Sequence, residues 1–371
     1  MNQNKIKVGI THGDFNGISY EIIIKTLVDN RIFDLCTPVV YGSAKAADFY
    51  RGSVADAGNF NFNIIGSPDK THGKRANLIV CGDENVKIEP GEETAAAGQY
   101  AIAALRRAVS DLRDGNIDVL VTCPISKKNT SGDGFEFVGH TEYMAAELDG
   151  GQPLMFMVSD SLKVGLVTMH IPLGSVPGAI NSEKILDHIR MMKRSLERDF
   201  SIYSPKIAVL GLNPHAGDQG LLGNEEQEII IPAIQSAKNE NIVVAGPFAA
   251  DGFFGSGAYS KFDAILAMYH DQGLAPFKAI SFSDGVNFTA GLSAVRTSPA
   301  HGVGYDIAGK GVADPSPLRA AIFQAIDICH SRQSYDIAAA NPLQHYARER
   351  SSNGRDRDVN VEDILGPGDN Q

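Results

Sequence analysis

Short apolar runs rich in valine and isoleucine alternate along the chain with longer segments in which apolar and charged residues are mixed. Runs of this kind are typical of parallel strands that helices cover on both faces. The predicted strands are Lys5–Thr11, Pro38–Tyr41, Asn77–Val80, Asp118–Thr122, Leu154–Val158, Val164–Met169, Lys206–Leu212, Ile242–Gly246 and Ala264–Tyr269. The predicted helices are Tyr20–Asp29, Glu93–Arg113, Thr141–Leu148, Glu183–Arg198, Glu225–Asn239 and Pro317–His330. Their alternation predicts an α/β fold.

Two segments depart from this alternation. Phe277–Ser298 holds short apolar runs broken by glycines, which predicts an antiparallel hairpin or arm that could serve as a subunit contact. Tyr346–Gln371 contains ten charged residues and little apolar material, which predicts a disordered or loosely docked tail without a catalytic role.

Composition and charge narrow the class of protein. The 371 residues are 43% hydrophobic and 21% charged, which is ordinary globular usage. The net charge of −11 argues against a nucleic-acid binder, which needs clusters of Lys and Arg. Four widely spaced cysteines suggest neither a disulfide framework nor a CxxC metal site. Without a signal-like N-terminus or a membrane-length apolar stretch, we expect a soluble cytoplasmic protein with no membrane partner.

Three histidines directly follow predicted strands: His170, His215 and His270. Because ligands bind outside the carboxyl ends of strands in open α/β sheets, these imidazoles can converge on one divalent metal ion. The alternative is that each is a loop histidine bonded to a nearby carbonyl. Asp271 could support an imidazole by a hydrogen bond, or it could simply form a turn before Gly273.

Two further groups of residues suit an anion. His140 and Thr141 stand at the start of a predicted helix, where free N–H groups favour a phosphate or carboxylate, although a plain helix cap is equally compatible. Lys278, Asn287 and Arg296 are spaced nine residues apart and could hold a dianion, although solvated surface charge explains them as well.

Several common enzyme motifs are absent from the sequence. The first turn, Gly13–Gly17, does not match the G-x-G-x-x-G nucleotide fingerprint, and Gly255–Ser260 lacks a convincing strand before it. Neither a Walker A loop nor a G-x-S-x-G elbow occurs. Hydrolases and phosphotransferases of those types are therefore disfavoured.

Five motifs in unbroken order resemble the 4-hydroxythreonine-4-phosphate dehydrogenase family. They are TCPISK (122–127), GHTE (139–142), GLNPHAG (211–217), MYHDQG (268–273) and the segment from Asn287 to Arg296-Thr297-Ser298, and the similarity runs from about residue 5 to 335. The family's first turn usually reads close to G-D-P-A-G-I-G-P-E, whereas Phe15, Asn16, Ser19 and Tyr20 stand here. No site residue is therefore carried over from this turn.

The resemblance implies an isocitrate/isopropylmalate dehydrogenase-like fold, with two interleaved α/β subdomains in residues 1–340, an active site in the cleft between them, and a polar tail in 341–371. It implies a homodimer with a shared active site, in which His170 and His215 of one chain and His270 of the other chain bind a divalent metal such as Zn, Co or Mg. It also implies that the five anion-suited residues contact substrate. They are His140, Thr141, Lys278, Asn287 and Arg296.

The implied reaction is oxidation of 4-phosphooxy-threonine by NAD or NADP, with decarboxylation to 3-amino-2-oxopropyl phosphate, on the route to pyridoxal phosphate (vitamin B6). The general base is left open between Lys278 and Asp251. A related phosphorylated sugar acid such as 4-phosphoerythronate is an alternative substrate. A metallohydrolase using the same histidines and a non-catalytic sensor of phosphorylated acids are the alternative functions.

Overall fold

The computed structural model describes residues 5–83, 85–130, 139–148 and 153–341. The chain divides into two compact units. Unit 1 comprises Met1–Ser161 and Phe277–His330, and unit 2 comprises Leu162–Pro276 and Ser331–Gln371. The larger part of unit 2 is thus inserted between two segments of unit 1. The predicted tail, Tyr346–Gln371, lies outside the described residues.

Strands and helices alternate through the described residues, and the predicted α/β class is confirmed. The strands are β1 Ile6–Thr11, β2 Cys36–Gly42, β3 Asn63–Ile65, β4 Asn77–Val80, β5 Val119–Thr122, β6 Leu154–Val158, β7 Lys163–Leu166, β8 Ile207–Leu210, β9 Val244–Phe248, β10 Ala264–Ala267, β11 Val286–Ala290 and β12 Val295–Pro299. The helices are α1 Ser19–Leu27, α2 Ile32–Leu35, α3 Ala44–Arg51, α4 Ala95–Arg113, α5 Lys127–Thr130, α6 His140–Glu147, α7 Val176–Ala179, α8 Ser182–Asp199, α9 Ile231–Asn239, α10 Ala250–Gly255, α11 His270–Ile280 and α12 Ser316–Ala340.

The strands of unit 1 follow the order β3-β4-β2-β1-β5-β12-β11-β6. Its central strands are buried on both faces, which explains their continuous apolar runs. Thr94 caps α4 by accepting a hydrogen bond from the Ala97 amide at 3.3 Å. Beyond this cap, α4 packs Leu105 and Val109 into an apolar cluster with Tyr41 and Leu120.

The predicted arm Phe277–Ser298 is partly wrong. Its second half does form an antiparallel pair, β11 and β12, but β11 also pairs with β6 and β12 also pairs with β5. Both strands therefore lie inside the sheet of unit 1. The first residues of the segment, up to Ile280, belong to helix α11.

The strands of unit 2 follow the order β7-β10-β8-β9, with β10 parallel to both β7 and β8. Asn181 caps α8 by accepting a hydrogen bond from the Lys184 amide at 2.8 Å. The helix predicted over Glu183–Arg198 places Ile185, Ile189 and Met192 on one apolar stripe by its periodicity, and all three side chains are fully buried. Amphipathic periodicity thus identified both this helix and its inner face.

The C-terminal part of α12 is tied to α8 by two ion pairs of different exposure. Arg332 donates from Nε to Asp199 at 2.6 Å, and both side chains are buried. Arg198 reaches Asp336 at 2.8 Å, and both of these side chains are partly exposed. Among the described residues, no helix combines the length and the apolar character needed to cross a membrane.

Candidate functional site

Arg296 is a buried arginine on β12, with only 3% of its surface exposed. Its Nε and Nη2 groups both donate to Oγ1 of Thr122, at 3.1 and 2.6 Å, and its Nη1 group donates to Oγ1 of Thr289 at 3.1 Å. Burial lowers the pKa of Arg296 to about 10, so the guanidinium is still charged at neutral pH. Surface charge, one of the two explanations left open by the sequence, is therefore wrong for this residue.

His140 begins helix α6 and contacts Arg296. Nη2 of Arg296 lies 3.4 Å from Nδ1 of His140. Because a guanidinium only donates, Nδ1 must accept, and the ring proton is therefore on Nε2. Burial, and then the charge of Arg296, hold the pKa of His140 well below its usual value, so the ring is neutral. Within the described part of the chain, its buried Nε2 has no hydrogen-bond partner.

Of the other predicted substrate residues, Thr141 and Asn287 are at least partly buried, whereas Lys278 is exposed. Thr141 follows His140 in the first turn of α6 and is half-buried. Asn287 lies two residues before Thr289 on β11, hence on the same face of that strand, and its Oδ1 is buried without a partner among the described residues. Lys278 is exposed, near the end of α11.

Two of the predicted metal ligands, both in unit 2, are neighbours within one chain. The ring centroids of His170 and His270 are 5.9 Å apart. Nδ1 of His270 lies 2.7 Å from Oδ1 of Asp271, so the carboxylate orients this ring and leaves Nε2 available to a ligand. The resemblance had assigned His170 and His270 to different chains, whereas the structure places their rings side by side.

His215 occupies an unusual backbone segment after β8. Five successive residues, His215 to Gln219, have positive φ angles between 42° and 81°, and only Gly217 among them lacks a Cβ atom. The left-handed conformation costs roughly 1–2 kcal/mol for each L-residue. Such a segment persists only when its surroundings fix it, and it is frequent at functional sites.

Glu226 supplies that fixation. It is the first residue of a π-helical turn, Glu226–Ile230, and its carboxylate is buried. Its Oε1 accepts hydrogen bonds from the backbone amides of Leu212 and Asn213, both at 2.7 Å, and its Oε2 accepts one from Nδ2 of Asn213 at 3.0 Å. Glu225 also accepts a hydrogen bond from Nδ2 of Asn213, at 2.7 Å, but the two backbone amides donate to Glu226. Glu226 thus holds the backbone of the loop that carries His215. Isolated π-helical turns are frequent at functional sites.

The donor set suits a divalent first-row metal, since neutral imidazole nitrogens are ligands that zinc and cobalt prefer. Within residues 5–83, 85–130, 139–148 and 153–341 of one chain, no group of three or more potential ligands is close enough to hold an ion. Among the described residues, one chain thus brings His170 and His270 together, and His215 does not join them in a group of three.

Asp251 lies in the first turn of α10, in unit 2, and is exposed. Lys278 belongs to unit 1. The positions of these two candidate bases within their own units do not favour either over the other.

The first turn, Gly13–Gly17, is buried and hydrogen-bonded to distant parts of the chain. Asp14 accepts hydrogen bonds from Nδ2 of Asn129 and from the Tyr305 hydroxyl, both at 2.7 Å. The preceding His12 is fully buried, and burial lowers its pKa to about 4. These contacts join residues nearly 300 positions apart, so no local pattern could reveal them.

Comparison with known proteins gives consistent results. A family model described as "Pyridoxal phosphate biosynthetic protein PdxA" matches residues 34–325. A 4-hydroxythreonine-4-phosphate dehydrogenase of Bacteroides thetaiotaomicron is 48% identical over 366 residues, which cover 98% of this chain and 100% of the relative. The relative of the same name from Desulforapulum autotrophicum is 40% identical over 328 residues, covering 88% and 96%. The crystal structure of the Klebsiella pneumoniae 4-hydroxythreonine-4-phosphate dehydrogenase has a TM-score of 0.76 at 33% identity, covering 89% of this chain and 99% of that chain. The resemblance drawn from the motifs is confirmed.

Proposed function

Because the chain belongs to the family of pyridoxal phosphate biosynthetic proteins PdxA, we propose that it oxidises 4-hydroxythreonine 4-phosphate with NAD or NADP. The 3-hydroxyl carbon loses a hydride to the nicotinamide and the hydroxyl loses its proton. The resulting β-keto acid then loses CO₂ to give 3-amino-2-oxopropyl phosphate. The reaction belongs to pyridoxal phosphate biosynthesis.

The observation that carries this proposal is the pairing of Arg296 with a neutral His140. Arg296 is buried and charged, and among the described residues it makes no ion pair with a carboxylate. His140 adds a buried Nε2–H group without an acceptor. Both features favour a bound anion, and a phosphate monoester carries close to two negative charges at neutral pH. Thr141, Asn287 and Lys278 complete the proposed substrate site.

His170, His215 and His270 would hold the divalent ion, Zn, Co or Mg. Such an ion supplies Lewis acidity that lowers the pKa of a bound hydroxyl. Asp271 fixes the ring of His270 by its 2.7 Å hydrogen bond, and Glu226 fixes the loop of His215. The proton released from the substrate hydroxyl passes to Lys278 or Asp251, the two candidate bases.

Absorbance at 340 nm tests the activity directly. Purified protein is supplied with each metal, with NAD⁺ or NADP⁺, and with phosphorylated 4-hydroxythreonine, its dephosphorylated form or 4-phosphoerythronate. Nicotinamide reduction restricted to phosphorylated 4-hydroxythreonine supports the proposal. Faster reduction with 4-phosphoerythronate would favour the sugar-acid alternative. Release of phosphate without reduction indicates a hydrolase, and binding without turnover indicates a sensor.

We propose that the protein is a homodimer with a shared active site, and paired inactive variants can show how the histidines are divided. If His170 and His215 of one chain act with His270 of the partner subunit, mixing His170→Ala with His270→Ala restores one intact site. If His170 and His270 act together, as their adjacent rings suggest, mixing His170→Ala with His215→Ala restores it instead. Activity in neither mixture, after demonstrated subunit exchange, excludes sharing.

We further assign residues 1–340 to a single catalytic α/β unit of two interleaved subdomains with the active site in the cleft between them, and residues 341–371 to a tail without catalytic role. A chain ending at residue 340 should then retain the turnover of the full chain. We place the activity in the cytoplasm, where the four cysteines, all free and buried, would stay reduced.

A further inference from the structure

We propose that Thr122 and Thr289 are positioning residues that orient the Arg296 guanidinium toward the substrate phosphate without neutralising its charge. This inference rests on the proposed function and assigns the phosphate of that substrate to Arg296. The two threonine side chains are fully buried or nearly so, at 0% and 1% exposure. Both hydroxyls face the same guanidinium.

The sheet itself brings these three side chains together. In the β11–β12 pair, Asn287 is opposite Ser298 and Phe288 is opposite Thr297, so the next pair along the ladder is Thr289 and Arg296. Thr122 ends β5, the strand on the other side of β12. Arg296 is therefore flanked by one hydroxyl from each neighbouring strand.

Arg296 and His140 each keep one N–H group that can bind a ligand. A guanidinium has five N–H groups. Two of them reach Thr122, one reaches Thr289 and one reaches Nδ1 of His140. Among the described residues this leaves one Nη1–H group of Arg296, together with the Nε2–H group of His140. Both are donors, as recognition of a phosphate oxygen requires.

The chemical nature of the two partners matters as much as their geometry. Buried arginines are usually paired with carboxylates, which fix the guanidinium and also offset its charge. A threonine hydroxyl accepts the same hydrogen bond but carries no charge. Glu142 acts on Arg296 through its charge but forms no ion pair with it among the described residues. The positive charge of Arg296 therefore remains available to an anion that enters the site, and in a chain with net charge −11 that local charge has to provide the attraction.

Thr122→Val removes the hydroxyl and keeps the shape of the side chain. For the metal-loaded enzyme we expect the KM for phosphorylated 4-hydroxythreonine and the Kd for inorganic phosphate both to rise at least tenfold, with a smaller change in kcat. Thr289→Val should act in the same direction but less strongly, because one hydrogen bond is lost instead of two. Thr122→Ser, which keeps the hydroxyl, should restore both values to within about threefold.

Thr297→Val is the matched control. Thr297 is equally buried on the neighbouring position of β12, but its hydroxyl donates to the Ala321 carbonyl at 2.8 Å and not to Arg296. Its loss should lower the unfolding midpoint without changing either binding constant. If Thr122→Val behaves like Thr297→Val in binding, the positioning role is wrong.

A second pair of variants tests the charge. Thr122→Asn supplies a neutral acceptor, whereas Thr122→Asp supplies a charged one of the same size. We expect phosphate binding to be at least tenfold weaker in the Asp variant than in the Asn variant. Equal affinities would overturn the claim that phosphate binding needs Arg296 without a carboxylate hydrogen-bonded to it. Failure of the wild type to bind or oxidise the phosphorylated substrate would instead refute the proposed function.

Discussion

Replacing Glu226 with alanine is the most informative single perturbation of the proposed metal-binding region. The change removes the acceptor of three hydrogen bonds, from the Leu212 amide, the Asn213 amide and Nδ2 of Asn213. A donor left without a partner costs roughly 1–3 kcal/mol when it is buried. Because Leu212 and Asn213 are half-buried and water can reach part of the vacated space, we expect the free energy of unfolding to fall by about 2–4 kcal/mol.

The same change should loosen the left-handed segment that carries His215. Residues that orient metal ligands typically contribute 10–100-fold to metal affinity. We therefore expect a loss of that size in Zn²⁺ or Co²⁺ affinity, measured by calorimetric titration of metal-free protein. Urea unfolding followed by far-ultraviolet circular dichroism gives the stability change.

Glu228→Ala provides the control for this experiment. Glu228 lies in the same π-helical turn and carries the same charge, but its side chain is exposed. Its removal should change stability by no more than about 0.5 kcal/mol and leave metal affinity unaltered. If Glu226→Ala matches Glu228→Ala in both measurements, the carboxylate does not hold the His215 loop.

Three further outcomes follow from contacts described above. The lowered pKa of His12, about 4 against an ordinary 6.5, means that the unfolded chain takes up a proton first as the pH falls. The free energy of unfolding should therefore fall by about 3 kcal/mol between pH 7 and pH 4, and His12→Phe should remove this part of the pH dependence. Urea titrations that give the same pH dependence for both proteins would contradict this. Asp271→Asn should weaken metal binding roughly 10–100-fold, because the ring of His270 loses the carboxylate that orients it. Unchanged metal affinity by calorimetry would refute this role. Arg332→Met should lower the free energy of unfolding by about 3–5 kcal/mol, because it leaves the buried carboxylate of Asp199 without its ion pair. Arg198→Met, in the exposed pair with Asp336, should cost at most about 1 kcal/mol. Equal urea midpoints for the two variants would refute this contrast.

Local sequence patterns were sufficient to predict those strands and helices whose burial shows directly in their own apolar residues. All nine predicted strands exist, with their ends displaced by no more than a few residues, because buried strands need continuous apolar runs. The α8 stripe was equally readable, since helical periodicity fixes its inner face. The strands after Phe277 were harder, because their glycines and polar residues hide the fact that both sides are paired.

The candidate site depended on contacts between distant residues, which local patterns do not encode. Arg296 looks like surface charge until β12 is placed between β5 and β11. Thr122 lies 174 positions from Arg296 in the chain, and no spacing rule joins them. The role of Glu226 could not be predicted, because it depends on the left-handed segment that carries His215. Positive φ angles at non-glycine residues leave no signature in the sequence.

The insertion of unit 2 into the chain of unit 1 sets an order of events during synthesis. About 170 residues separate β5 from β12, its partner in the sheet. Because ribosomes add about 5–20 residues per second, β12 is synthesised roughly 10–30 s after β5. The four strands of unit 2, β7 to β10, all emerge before β11 and β12. The nascent chain thus exposes an unpaired strand edge in unit 1, a template for unwanted pairing, while unit 2 can already complete its sheet. The sheet whose synthesis begins first is therefore the sheet that is completed last.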